Sequence, residues 1–151
     1  MPQQSTSDVF RALVEQASDA IIFADRDGSI RIWNRGAERV FGYPAGEAIG
    51  ASLDLIVPER FPRAHWEGFR RAIDTGATRH VDRVLTTRAL HKDGGKRYVD
   101  MSFGLVKDGA GEVLGALAVA RDSTERHAAD AELKARIAAL EARAMADDAP
   151  G

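Results

Sequence analysis

In the segment Ala20-Ile21-Ile22-Phe23-Ala24-Asp25-Arg26-Asp27-Gly28-Ser29-Ile30-Arg31-Ile32-Trp33, a compact apolar run meets a polar turn and is followed by alternating apolar and polar residues. That order predicts a β-hairpin. Upstream, Val9, Phe10, Leu13, Val14 and Ala17 recur at helical spacing, so an amphipathic helix precedes the hairpin, with Ser7 as its expected N-cap. Downstream, from Asn34 to Val57, the period changes, and Gly42, Pro44, Gly46 and Gly50 cut the segment into pieces too short for one long helix. Short helices are expected around 35–41, 45–49 and 53–56.

Pro62 suits the first turn of the next helix, because its missing N–H has no helical partner there, and Gly76 suits the position just past the end. Three strands are then expected, at about 80–91, 96–106 and 113–121. Lys92-Asp93-Gly94-Gly95 and Lys107-Asp108-Gly109-Ala110-Gly111 are the turns between them. Val99, Met101, Phe103 and Leu105 alternate with Tyr98, Asp100, Ser102 and Gly104, so the former set faces inward. Two strands, a helical middle and three strands make an α+β domain. After Asp122 the chain turns rich in Ala, Glu, Arg and Leu, and Leu133, Ile137, Leu140 and Ala144 form a short a/d stripe on a terminal helix.

The whole chain has 151 residues, enough for one domain with flanking helices. Its 21 basic and 23 acidic side chains leave a net charge of -2, which argues against a polyanion-binding surface and so against a nucleic-acid partner. No cysteine is present, which removes disulfides, thiolate metal sites and thiol nucleophiles together. No apolar run approaches the roughly 20 residues needed to span a bilayer, and Met1-Pro2-Gln3-Gln4-Ser5 lacks the features of a secretion signal. A cytoplasmic protein with no membrane partner is expected.

Enzyme motifs are lacking. There is no phosphate-binding glycine loop of the Walker type, no paired histidines at helical spacing and no serine elbow, and Gly109-Ala110-Gly111 lies between two strands. The expectation is a protein that is not an enzyme.

Six segments, in this order, resemble the PAS domain: Asp19-Ala20-Ile21-Ile22, Asp27-Gly28, Trp33 to Tyr43, Glu47-Ala48-Ile49-Gly50, Lys92-Asp93-Gly94 and Arg121 to Arg126. The resemblance covers about residues 9–126. It implies a PAS fold with a five-stranded antiparallel sheet, helices on one face, and a pocket between the sheet and the long helix. On this reading residues 1–18 are an N-terminal flanking helix, 19–122 a PAS sensory domain, and 123–151 a C-terminal signalling or coiled-coil helix with a loose tail. The implied function is to sense a small molecule in the pocket, or to pair with another subunit, and to pass the change on through the flanking helices. The downstream signalling protein has no signature in this sequence.

The residue richest in chemical meaning is His65. Positions 65, 69, 72 and 73 share one helical face, and Phe69, Ala72 and Ile73 make it apolar. An imidazole aimed into an apolar wall suits an iron porphyrin. The run Pro58 to Phe69 is similar to the proximal segment of haem-binding PAS sensors of the FixL and direct-oxygen-sensor type. That likeness implies haem b, with His65 as the iron ligand and Phe69, Ile73, Leu85, Val99, Met101 and Phe103 around the cofactor. Leu85 falls where such sensors carry an oxygen-holding arginine, with Arg83 and Arg88 nearby, so the resemblance implies a preference for carbon monoxide or nitric oxide. Met101 is a further candidate iron ligand, although an ordinary core role is the default for it.

Two alternatives stand beside haem. One is a cofactor-free PAS module for dimerisation and signal relay, and the other is a pocket holding an organic metabolite or fatty acid. Flavin–cysteinyl photochemistry is excluded for want of a cysteine. The other histidines are weaker: His91 adjoins a turn and is expected to be exposed, His127 lies on the terminal helix, and His80 opens a strand. Trp66 is expected at the rim or in packing. The apolar stripes on the first and last helices predict a homodimer.

Overall fold

The computed structural model describes residues 4–57, 62–78 and 83–148. Helix α1 (Thr6–Gln16) leads into strands β1 (Ala20–Asp25) and β2 (Ile30–Trp33). Helices α2 (Arg35–Phe41), α3 (Ala45–Ala48) and α4 (Pro62–Thr75) follow, with a 3₁₀ turn at Leu53–Leu55. Strands β3 (Val84–Leu90), β4 (Lys96–Lys107) and β5 (Val113–Asp122) precede α5 (Thr124–Asp147). The strands form one antiparallel sheet in the order β2-β1-β5-β4-β3. This is the five-stranded α+β fold expected from the sequence.

Most boundaries follow local chemistry. The β1–β2 turn closes because the Asp25 carboxylate accepts from the N–H groups of Asp27 and Ser29. Gly28 supplies the positive φ of 82° that the turn requires. Helix α4 starts at Pro62 and ends before Gly76, whose φ is 67°. The first helix departs from expectation, because Ser5 rather than Ser7 caps it by accepting from the Asp8 N–H. The side chain that reaches an unpaired helical N–H decides the start, and it lies ahead of the first apolar residue. His80 and the expected first residues of the third strand lie outside the described residues.

The core is densest beneath α2, where Ala37, Val40 and Phe41 meet Ile22, Ile30 and Trp33. Trp33 and Phe41 rings sit 5.5 Å apart, and the Trp33 indole N–H donates to the Tyr43 carbonyl at 2.9 Å. Asn34 is fully buried and serves as a four-way junction. Its carbonyl oxygen accepts from Ile21 N–H (2.8 Å) and caps α2 through Ala37 N–H (2.9 Å). Its amide donates to the carbonyls of Val14 (2.8 Å) and Asp19 (3.0 Å), which ties the end of α1 to the sheet.

Both flanking helices are exposed. Helix α1 has no buried residue, and Phe10 and Leu13 are 62 % and 61 % exposed. From Ala128 to Asp148 every residue of the last helix and its cap is exposed, including Leu133, Ile137 and Leu140. Among the described residues, no helix is long and apolar enough to cross a membrane.

Candidate functional site

The register defines the inner face of the sheet. Ala24, Ile22 and Ala20 on β1 stand opposite Ala116, Ala118 and Ala120 on β5. Those three alanines in turn face Leu105, Phe103 and Met101 on β4. Leu85 and Thr87 on β3 face Met101 and Val99. An alanine column down the middle of the sheet leaves room that larger side chains would fill, and α4 roofs that space.

Two adjoining cavities result, of about 430 Å³ and about 830 Å³. They share a wall made of Ala64, His65, Phe69, Leu85, Phe103 and Ala116. The larger falls within the roughly 300–1,000 Å³ typical of small-molecule sites. It extends past Met101 and Ala118 to Leu53, Ile56 and the edge strand β3. Phe103, inward by register, remains 37 % exposed because the space before it is open.

His65 stands at the junction. It is half-buried, and its Nδ1 has no hydrogen-bond partner among the described residues. Burial pushes its pKa below the ordinary imidazole value, while the charge of Asp54 opposes the shift, so the neutral ring is favoured near pH 7. The ring stacks near Phe69, with centroids 6.3 Å apart and planes inclined by 29°. A neutral imidazole with an uncommitted nitrogen in an apolar wall can ligate a metal or accept a hydrogen bond from an occupant.

Of the residues expected around a ligand, His65, Phe69, Leu85 and Phe103 line both cavities and Met101 lines the larger. Ile73 and Val99 are buried in packing, at 6 % and 0 % exposed, and are not among the lining residues. Trp66 is not among them either. It packs on Gly28, and its indole N–H donates to the Asp54 carboxylate at 2.6 Å. His91 departs from its expected exposure: its ring lies against Gly42 and its Nδ1 accepts from the Asp93 N–H.

Several lining residues carried no signal in the sequence. Ala24, Ala116 and Ala118 matter for what they lack. Arg71 lines the smaller cavity, and Arg88, Lys96 and Tyr98 line the larger. No asparagine or glutamine occurs among the lining residues, so the wall offers no side-chain amide to the polar edge of a flavin. No group of three or more His, Cys, Asp or Glu able to hold a metal ion occurs among the described residues.

The site is thus a ligand-sized apolar cavity between an antiparallel sheet and one helix, in a domain flanked by two exposed helices. The chain belongs to the PAS fold family, whose model matches residues 14–128.

It is 27 % identical over 132 residues to the oxygen sensor protein DosP of Escherichia coli, covering 87 % of this chain and 16 % of that protein. It is also 27 % identical over 127 residues to the sensor protein FixL of Bradyrhizobium diazoefficiens, covering 82 % of this chain and 24 % of FixL. The crystal structure of the PAS domain of a protein from Colwellia psychrerythraea superposes with a TM-score of 0.67 at 24 % identity, covering 80 % of this chain and 99 % of that domain. The chain is thus a PAS sensory module related to sensor proteins.

Proposed function

We propose that this PAS domain binds haem b in its core cavity, with His65 as the axial ligand of the iron, and senses a diatomic gas or a redox change. The observation that carries the reading is the position of His65: a neutral, half-buried imidazole with an unpartnered nitrogen, on the wall common to both cavities. The likeness to an oxygen sensor protein supports the same reading. Iron, when bound, supplies reversible ligation of a gas. Phe69, Leu85, Met101 and Phe103 exclude water around it, and Arg71, Arg88 and Lys96 are the cations among the lining residues suited to carboxylate groups of the cofactor.

Gas preference follows from wall polarity. Leu85 contributes no hydrogen-bond donor, and Arg83, just ahead of β3, is exposed. Carbon monoxide and nitric oxide tolerate such a wall better than oxygen, whose bound form gains from a donor. The module has no catalytic role, acts in the cytoplasm, and works as a homodimer that relays its state through α1 and α5.

A second reading, an organic amphiphile in the pocket, is favoured by the volume of the larger cavity and by Arg88 and Lys96 in its lining. The absorbance of freshly purified protein tests both readings: a Soret band near 400 nm, with haem recovered by extraction, is expected. A colourless protein that takes up no added hemin and releases a carboxylic acid to mass spectrometry would replace the first reading by the second.

A further inference from the structure

We infer that the ring stack of Tyr98 on His127, braced by the Asp100–Arg126 ion pair, is the latch through which the β3–β4 wall of the cavity positions α5. The inference rests on the cavity being the sensing site and names how its state reaches the last helix.

The stack is close and nearly parallel, with centroids 3.6 Å apart and planes inclined by 17°. Tyr98 is among the lining residues of the larger cavity, as is Arg88 beside it in the register. Arg88 Nε donates to the Tyr98 hydroxyl at 3.2 Å, and its guanidinium carbon lies 5.4 Å from the centre of the ring. One residue therefore meets the cavity, the edge strand and the terminal helix together.

A parallel route runs two residues away along both strands. Thr86, another lining residue, donates to Asp100 Oδ1 at 2.7 Å. Asp100 takes Arg126 in a two-pronged ion pair, with contacts of 2.6 and 2.9 Å. The backbone completes the attachment: Tyr98 N–H donates to Thr124 Oγ1 at 3.1 Å, and Ser123 N–H donates to the Tyr98 carbonyl at 2.8 Å.

These contacts engage residues 123–127, and every residue from Ala128 to Asp148 is exposed. The root alone holds the direction of α5. A shift of β3 against β4 moves Arg88 and Thr86, and the two routes carry it to His127 and Arg126. Aromatic pairs contribute about 0.5–1.5 kcal/mol, enough to change local opening by roughly two- to tenfold.

The test is hydrogen exchange followed by mass spectrometry on the full chain, with and without hemin as the probe. Hemin loading is expected to change exchange in residues 124–132 by at least twofold in the unaltered protein. His127→Ala should keep the Soret band, raise exchange there about two- to tenfold without hemin, and diminish the hemin-dependent difference, which His127→Ala combined with Arg126→Ala should abolish. Tyr98→Phe, which keeps the ring stack but loses the Arg88 hydrogen bond, should leave exchange without hemin as in the unaltered protein and weaken the hemin-dependent difference. A hemin response at α5 that is undiminished in His127→Ala, or that survives in the double variant, would overturn the latch.

If no hemin binds, the cofactor reading fails and the latch is read by reciprocity. His127→Ala must then also speed exchange in residues 84–90 of the cavity wall, and an unchanged β3 overturns the inference.

Discussion

Trp66 lies across Gly28 so closely that a Cβ on that glycine would overlap the six-membered part of the indole. The contact joins the N-terminal half of α4 to the hairpin turn, and the Trp66 indole N–H bonded to Asp54 fixes the ring from its other end. His65 is the next residue, so this contact sets where the imidazole stands. Gly28→Ala places a side chain at φ 82° and displaces Trp66 together. A loss of about 1–3 kcal/mol in urea-unfolding stability is expected, with a weakened affinity for hemin. An unchanged midpoint and affinity would show that the contact does not position α4.

How much of this could be read beforehand depends on where each signal lies in the chain. Helix α4 was legible because Pro62 and Gly76 bracket it with local chemistry. The Trp66–Asp54 bond was not, because it joins residues 12 apart whose pairing depends on how the intervening turn folds. His65, Phe69, Met101 and Phe103 were legible as inward residues through periodicity, and Leu85 through the family resemblance. Ala24, Ala116 and Ala118 were not, because a cavity is made by side chains that are missing and small residues leave no chemical mark. Tyr98 was hidden for another reason: alternation assigned it to the outer face, yet it is among the lining residues of the larger cavity together with its register partner Arg88.

Asn34 predicts a steep loss when truncated. Asn34→Ala leaves the N–H groups of Ile21 and Ala37 and the carbonyls of Val14 and Asp19 without their partner in the interior. At 1–3 kcal/mol for each buried group left unsatisfied, a total of roughly 3–5 kcal/mol is expected after water reaches some of them. Chemical denaturation measures it. Exchange in α1 should rise before the rest of the domain opens, since the Asn34 amide is what ties down that helix.

Asp100 sets an acid limit on the root of α5. Hydrogen bonds from Arg126 and Thr86, with the charge of Arg126, lower its pKa to about 2 against an opposing burial effect. A carboxylate held below its unfolded value stabilises the fold above the ordinary pKa near 4, and that contribution is lost as pH falls through the window from about 4 to 2. Circular dichroism should show helix loss across this window. Asp100→Asn should show less change there and lower stability at pH 7.

The exposed stripes on α1 and α5 predict self-association. Leu133, Ile137 and Leu140 are 57 %, 47 % and 63 % exposed on a helix with no buried residue. A dimer is expected by analytical ultracentrifugation at about tens of micromolar, the range in which a modest apolar interface of about -7 kcal/mol is populated. Leu133→Glu with Ile137→Glu should shift it to monomer without changing the far-ultraviolet spectrum. A monomer in the unaltered protein across that range contradicts the paired arrangement.

The role of His65 is tested most directly by comparing the Soret absorbance of the unaltered protein and of His65→Ala after equal hemin loading, with circular dichroism recorded on the same samples. A stoichiometric Soret band in the unaltered protein, lost in His65→Ala while the secondary structure stays the same, is the predicted result. An identical Soret band in both proteins would contradict it, because the iron would then take its ligand from another residue.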